Sequence, residues 1–273
     1  MSVYAPKPGQ HHQLETRIIA AQNELARYSG VTVDTTKKAK ALRKFGRRAA
    51  VSTTRVTVWN GDDGNETLPS TNAITVLSSS SASDDANVTI TVEGHTISAG
   101  ALTFVTQTRT LNGQTDVTLD TALARCTRMY VSSTTQPAVG NIYAHEGTTT
   151  SAGKPTDTSK IHAVISAGEQ QTEKAATAIS STDYWFVLEM QGYITGSQNA
   201  KAEFRMEYKA ATGSVWLPTG AILATDSDGS TSYLSQLYPA VTIPANSDVR
   251  ITAIASASCD VAAYMGGYLG QIV

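Results

Sequence analysis

Histidine is the residue type in this sequence best suited to acid–base catalysis or metal binding. The chain has five: His11, His12, His95, His145 and His162. None has the spacing of a catalytic triad, and His145-Glu146 lacks the second histidine that a metalloprotease helix requires four residues on. The sequence also has no nucleophile-elbow, phosphate-loop or dinucleotide motif. We therefore expect no catalytic residue, no metal site, no cofactor and no enzymatic activity.

Two acidic segments could supply oxygen ligands to calcium. Residues 61–66 read Gly-Asp-Asp-Gly-Asn-Glu, and residues 226–230 read Asp-Ser-Asp-Gly-Ser. Neither segment provides the carboxylate that closes the helix-loop-helix calcium site at its twelfth position. Asp, Asn and Gly are also the residues that tight turns select, so ordinary turns are favoured and calcium stays an alternative.

Aromatic residues in the second half could form a stacking platform for sugars. The candidates for this platform are Trp185, Trp216 and Tyr233. They alternate with Val, Leu and Met, which favours packing in a core over exposure to a ligand. Carbohydrate binding is thus an alternative and not the leading interpretation.

The sequence also bears on the compartment. No apolar stretch approaches the ~18 residues needed to cross a bilayer, and the first ten residues lack a signal-peptide pattern. Synthesis in a cytoplasm and no membrane partner are expected. Cys126 and Cys259 have no second ligand at metal spacing, so buried free thiols are expected in that reducing compartment.

Charge is distributed unevenly along the chain. The first 55 residues contain 11 of the 21 Lys and Arg residues but only 3 of the 23 Asp and Glu residues, although the whole chain has a net charge of −2. A basic segment followed by an acidic body indicates that the first part docks onto an acidic partner. The near-zero total argues against a general nucleic-acid binder.

The basic N-terminal arm is predicted to be partly helical. Leu14, Ile18, Leu25 and Tyr28 share one face of an amphipathic helix from Gln13 to Tyr28. This stripe needs a surface to bury it, either a partner or the chain's own body. A second short helix is predicted from Lys37 to Phe45. Its docking residues, extended past Gly46, are Lys37, Lys38, Lys40, Arg43, Lys44, Phe45, Arg47 and Arg48.

From Val51 onward the pattern has a period of two, which is typical of strands. In 87–93, Val88, Ile90 and Val92 alternate with polar residues, and Asn112-Gly113 is a hairpin signal. The predicted fold is all-β, with two tandem β-sandwich (jelly-roll-like) domains after the arm. The predicted divisions are 1–50 for the arm, 51–160 for the first sandwich and 161–273 for the second.

Several short motifs resemble those of a known group of proteins. They are Lys44-Phe45-Gly46-Arg47, Val56-Thr57-Val58-Trp59-Asn60-Gly61, Leu77-Ser78-Ser79-Ser80-Ser81 with Asp84-Asp85, Thr110-Leu111-Asn112-Gly113-Gln114-Thr115 and Ile243-Pro244-Ala245-Asn246-Ser247-Asp248-Val249-Arg250-Ile251-Thr252-Ala253. Together they resemble virion structural proteins of tailed phages, common in marine and cyanobacterial viruses. The resemblance extends over roughly residues 42 to 273, and its motifs are strand ends and turns.

The resemblance implies a non-enzymatic part of a phage particle, assembled in the host cytoplasm. A head-associated decoration or minor capsid protein is the leading interpretation, with a tail or fibre-adaptor component as the alternative. The expected partners are other virion proteins, bound through the arm, and further copies of the same chain. Nucleic acid is not expected, because the arm lacks interleaved aromatic residues.

Overall fold

The described part of the protein is built almost entirely from β-strands, which confirms the predicted all-β class. A computed structural model describes residues 40–61, 68–133, 138–195, 200–226 and 233–271. The first nine strands are β1 (Lys40–Val51), β2 (Val56–Thr57), β3 (Ile74–Ser79), β4 (Thr89–Ser98), β5 (Ala101–Thr110), β6 (Val117–Leu123), β7 (Arg125–Val131), β8 (Ile142–His145) and β9 (Thr150–Ser151). A single 3-10 turn spans Thr158–Lys160. The remaining strands are β10 (Lys154–Pro155), β11 (Ile161–Ile165), β12 (Ala176–Ile179), β13 (Asp183–Thr195), β14 (Lys201–Ala210), β15 (Leu217–Asp226), β16 (Tyr233–Ile243), β17 (Ser247–Ala255) and β18 (Cys259–Gln271).

Two sheets form a body that we call sandwich A. One sheet has the order β1-β18-β13-β16 and the other β12-β17-β14-β15, with β2 paired to β17. Their facing sides enclose one apolar core that includes Trp185, Phe204, Ile251 and Met265. This follows from the alternation of the strands, which turns apolar side chains to one face and polar ones to the other.

Two further sheets form sandwich B. Their orders are β11-β8-β3-β6 and β5-β4-β7. Val88, Ile90 and Val92 are buried in its core, which confirms the alternation predicted for 87–93. Cys126 is buried in this core and Cys259 in the core of sandwich A, as predicted, and the two do not form a disulfide.

Sandwich B lies within the chain of sandwich A. The chain leaves sandwich A after β2, builds sandwich B from β3 to β11 and returns at β12. The division predicted at residue 160 therefore falls inside sandwich B, where β11 pairs with β8. The division predicted at residue 50 falls inside β1, which pairs with β18 from Lys40 to Val51.

The short helix predicted from Lys37 to Phe45 is wrong from Lys40 onward, because those residues form β1. Leu42, Lys44 and Gly46 turn inward, while Phe45 is 41% exposed, so the period is two and not 3.6. A Cβ on Gly46 would lie 2.3 Å from the backbone nitrogen of Ala175, so glycine lets β1 approach that segment. Residues 1–39, with the predicted helix from Gln13 to Tyr28, lie outside the described residues.

Candidate functional site

A cleft of about 1170 Å³ lies between the two sandwiches. Sandwich A contributes residues 40–45 of β1 and 177–183, which include the end of β12. Sandwich B contributes residues from β4, β5 and β7, including 102–104. The cleft is large enough to hold several residues of a peptide or a comparable ligand.

The lining of the cleft is positively charged. It contains five basic residues and two acidic ones: Lys40, Arg43, Lys44, Arg128, Lys174, Glu93 and Asp183. Oε1 of Glu93 lies 3.8 Å from Nη1 of Arg128. Between low-dielectric walls, such an excess of one sign concentrates ligands of the opposite sign.

Lys44 lies at the base of this cleft and is 8% exposed. Its Nζ donates a hydrogen bond of 2.9 Å to the carbonyl oxygen of Thr127 on β7. The pKa of Lys44 is lowered from 10.5 to about 8, mainly by burial and also by the nearby charges of Lys174 and Arg128, while Glu93 opposes the shift. An anion in the cleft would supply the counter-charge that the lining only partly provides.

Three side chains form a second cluster at the β5 wall. The ring of Phe104, which is 42% exposed, meets the ring of His95 edge to face at 5.4 Å. Nζ of Lys40 lies 5.1 Å from the centre of the Phe104 ring, in a cation–π contact. His95 is buried, and its Nδ1 has no hydrogen-bond partner. Burial, with Lys44 and Arg125 nearby, lowers the pKa of His95 to about 3, so the imidazole is neutral.

A buried ion pair fixes the two walls of the cleft to each other. Arg125 of sandwich B donates from Nε to Oδ1 of Asp248 in sandwich A at 2.6 Å, and from Nη2 to Oδ2 at 3.0 Å. The two side chains are 3% and 2% exposed. Arg125 also donates to the carbonyl oxygens of Pro69, Ala124 and Ala211. The guanidinium is thus almost fully bonded, which stabilises one arrangement of the sandwiches.

The docking residues predicted from the sequence are partly brought together here. Lys40, Arg43, Lys44 and Phe45 line the cleft. Arg47 instead lies 3.7 Å from Glu173, and Arg48 donates to the carbonyl oxygen of Gly61. The other predicted docking residues, Leu14, Ile18, Leu25, Tyr28, Lys37 and Lys38, lie outside the described residues.

The opposite wall was not found from the sequence. Glu93, His95, Phe104 and Arg128 sit on strands β4, β5 and β7, more than 40 residues after β1. Alternation in the sequence indicates that these segments are strands. It does not indicate which strands face one another. Only the tertiary arrangement of the sandwiches brings them to β1.

One of the three residues considered for a sugar platform is not available to a surface ligand. Trp185 is completely buried in the core of sandwich A, so it cannot stack on a surface ligand. Trp216 is half-buried, and the guanidinium of Arg250 lies 3.9 Å from its ring centre, with Nζ of Lys209 at 5.5 Å. Tyr233 begins β16, and its side chain lies outside the described part.

A serine, a histidine and an aspartate meet in sandwich B without the geometry of a triad. Ser78 Oγ lies 3.2 Å from Nε2 of His145, and Asp116 Oδ1 lies 3.6 Å from the same nitrogen. Nδ1 of His145, which the carboxylate of a triad would orient, is buried without a partner. Ser78 also donates to the carbonyl oxygen of Gly153 and is itself fully buried. The cluster is therefore part of the packing of sandwich B.

The described ranges contain neither a cluster of metal-ligating residues nor a membrane-spanning helix. There, no three residues of the His, Cys, Asp and Glu types gather closely enough to hold a metal ion. The two acidic segments considered for calcium fall largely outside those ranges. The same ranges contain no helix long and apolar enough to span a membrane.

The known proteins similar to this chain are solved structures with low sequence identity and low TM-scores. No family model matches the chain, and no curated protein matches it. Among solved structures, the infectious bursal disease virus VP2 subviral particle is 8% identical, with 91% of this chain and 81% of that chain covered and a TM-score of 0.20. T=1 particles derived from the same virus are 9% identical, with coverage of 93% and 80% and a TM-score of 0.22. The T13 particle of that virus is 10% identical, with coverage of 96% and 81% and a TM-score of 0.22. Superpositions at these scores do not establish a shared fold.

Proposed function

We propose that this protein is a non-enzymatic structural component of a phage particle, attached to the head through its basic N-terminal segment. The observation that carries the proposal is the position of β1. Four predicted docking residues, Lys40, Arg43, Lys44 and Phe45, lie along a basic cleft at the point where residues 1–39 join the body. The resemblance of several motifs to those of tailed-phage virion proteins supports a phage particle as the place where the protein acts.

The construction of the body supports a structural role. Two sandwiches are fixed to each other by the Arg125–Asp248 pair, so a force on the N-terminal segment passes through β1 to both cores. β1 pairs with β18 without interruption from the Lys40–Leu269 pair to the Arg48–Val261 pair. This pairing holds the attachment point within the sheet. Homo-oligomers fit such a part, because weak contacts on a symmetric particle gain from multivalency.

A tail or fibre-adaptor role is the second candidate within the same class. The basic cleft would serve an attachment point on either part of a particle. Gold-labelled antibody on intact particles separates the two, since label on the head supports the proposal and label on the tail supports the alternative.

The carbohydrate-binding alternative has lost one of its three platform residues. Replacing Trp185 with alanine would cost about 3 to 5 kcal/mol of stability through the cavity it leaves, so loss of glycan binding in that variant would report unfolding. Trp216→Ala is the informative variant, because that side chain is half-buried.

Incorporation into particles tests the role of the basic segment. Lys40→Gln with Arg43→Gln removes two exposed charges at the cleft, whereas Lys154→Gln with Lys201→Gln removes two exposed charges elsewhere. We expect the first pair to reduce occupancy on purified particles and the second pair to leave it unchanged. Equal occupancy of both would contradict the proposal.

Salt separates two ways of attaching. Charge-dependent docking weakens as salt rises, because exposed charges are screened within about 10 Å at 0.1 M salt. Attachment that does not respond to salt would instead assign the main contact to the predicted apolar stripe of Leu14, Ile18 and Leu25.

A further inference from the structure

The free edge of β1 faces the cleft. Within the described residues β1 pairs with β18 alone, so its other edge has no strand beside it. Six consecutive residues, 40–45, line the cleft. Side chains of a strand alternate between two faces, so a continuous run of lining residues means that the strand presents its edge. An open edge of this kind can accept an added strand through backbone hydrogen bonds.

The side chains beside this edge have a defined order. Lys40, Leu42 and Lys44 share one face of β1, where Lys40 meets Phe104 and Lys44 meets Thr127 of sandwich B, while Leu42 between them packs against the core of sandwich A. The two lysines stand four residues apart, about 13 Å along a strand. A strand added here would have acidic side chains next to the lysines and an apolar one next to Leu42, since directly opposed side chains interact.

Two buried polar groups in the cleft have bonding capacity left. Nζ of Lys44 can donate three hydrogen bonds, and in the described structure it has one, to Thr127 O, with no carboxylate within 4.0 Å. Nδ1 of His95 is buried and has no partner. An unsatisfied buried polar atom costs free energy that a ligand can recover. Both residues line the same cleft.

From this geometry we propose that the cleft binds an extended acidic peptide of a partner protein, which adds to the edge of β1 and places carboxylates beside Lys40 and Lys44. That the partner belongs to a virus particle rests on the proposed function. The binding chemistry does not, because it depends only on β1 and the cleft.

The other occupants fit the cleft less well. Residues 1–39 contain five basic and three acidic residues, so the chain's own N-terminal segment carries the same sign as the cleft. Single-stranded nucleic acid needs aromatic faces on which bases stack. Phe104 already has Lys40 over its ring and His95 against it. An acidic peptide needs only the charge and the edge.

Binding of a designed peptide to the full-length protein tests the inference. The probe is a fluorescein-labelled peptide of about seven residues with Glu at its second and sixth positions, Val at its fourth and Thr elsewhere, long enough to follow residues 40–45. A second peptide with Lys in place of each Glu is the charge control. We expect saturable binding of the acidic peptide by fluorescence anisotropy, weakened by added salt, and no binding of the basic one.

Three variants assign the contact. Lys40→Gln should weaken binding about threefold and Lys44→Met about tenfold or more, because the charge of Lys44 is more deeply buried. Arg47→Gln removes one charge from the same strand outside the cleft, so it should leave the affinity unchanged. Lys40 is exposed, so the effect of its variant on binding can be read independently of any change in packing at Lys44.

Hydrogen exchange tests the strand addition itself. The acidic peptide should protect backbone amides within 40–45, which a loose electrostatic association would not. No added protection there, or equal affinity of the Lys40 and Arg47 variants, would overturn the inference. So would protection that rises with protein concentration alone, because a second copy would then occupy the cleft.

Failure of this inference is distinguishable from failure of the proposed function. A protein found on particles that does not bind the peptide refutes the acidic-peptide site alone. A protein that binds the peptide but is absent from particles refutes the proposed function alone.

Discussion

Removal of Asp248 should destabilise the protein more than any exposed charge substitution. In Asp248→Ala the guanidinium of Arg125 keeps its carbonyl acceptors but loses both carboxylate contacts, at 2.6 and 3.0 Å. Lys209, whose Nζ lies 3.8 Å from Asp248, becomes a second cation without this counter-charge. Breaking a buried pair by removing one partner costs about 3 to 5 kcal/mol. With a denaturant slope of a few kcal/mol per molar urea, the midpoint should fall by about 1 to 2 M.

Urea unfolding followed by tryptophan fluorescence and far-ultraviolet circular dichroism measures this shift. The matched control is Asp120→Asn, because Asp120 is 59% exposed and pairs with Arg109 at 2.8 Å. Exposed pairs contribute about 1 kcal/mol or less, so the control should move the midpoint little. Arg125→Met with Asp248→Leu should recover part of the loss, since the uncompensated charge disappears.

The same experiment reports on the coupling between the sandwiches. Because the pair links β7 to β17, its loss should separate the unfolding of sandwich A from that of sandwich B, giving transitions that no longer coincide between probes. The reasoning is refuted if Asp248→Ala shifts the midpoint no more than Asp120→Asn.

Three further predictions follow from the strand β1 and the cleft. Burial lowers the pKa of Lys44 to about 8, so below that pH the charged amine destabilises the folded state by its full amount. This destabilisation disappears as the pH rises from about 8 toward 10.5, because the buried amine is then neutral in the folded state. Lys44→Met should therefore be more stable than wild type near pH 7. In urea titrations this difference should shrink by up to about 3 kcal/mol as the pH rises to about 10.5. A difference that does not depend on pH would contradict the prediction. His95, with its pKa lowered to about 3, should stay neutral in nuclear magnetic resonance titrations from about pH 8 to 5, and His95→Gln should flatten the loss of wild-type stability below about pH 6.5; a ring that titrates near 6.5 would refute its burial. Gly46→Ala should destabilise by about 1 to 3 kcal/mol because the new methyl would meet the backbone of Ala175, whereas Gly213→Ala, with 3.2 Å to its nearest atom, should cost less in thermal unfolding.

The sequence predicts strands well where one face is buried and the other is wet. In β14, Phe204 and Met206 are buried and Glu203 and Arg205 are not, as the alternation indicates. The pattern fails at β1, because a basic strand facing a polar cleft shows few apolar residues by which to judge its period. Leu42 and Phe45 are three apart, as on a helix, but only pairing with β18 decides the structure.

Turn signals predict a change of direction but not where the chain goes next. Gly113 has the positive φ of 58° that Asn112-Gly113 predicts. The flanking strands β5 and β6 nevertheless join different sheets of sandwich B instead of pairing as a hairpin. The backbone N–H of Ser79 donates a hydrogen bond to the carbonyl oxygen of Gly113, which helps fix this path. A contact between residues so far apart cannot be read from the local sequence.

One wall of the candidate site could be predicted from the sequence and the other could not. Its basic wall could be found from the charge of residues 40–45, because those residues are consecutive. The wall that contains His95 and Phe104 could not, because it depends on how two sandwiches face each other. Asp248 and Arg125, which set that facing, are 123 residues apart in the chain.

The placement of sandwich B inside the chain of sandwich A has a consequence on the ribosome. β1 leaves the exit tunnel about 200 residues before its partner β18, an interval of about 10 to 40 s at a rate of about 5 to 20 residues per second. During that interval sandwich B can fold, while β1 has no strand paired to either of its edges. Its lysines and arginines then act as gatekeepers that keep nascent chains from adding to one another. The charges that line the finished cleft thus also protect the growing polypeptide before the cleft exists.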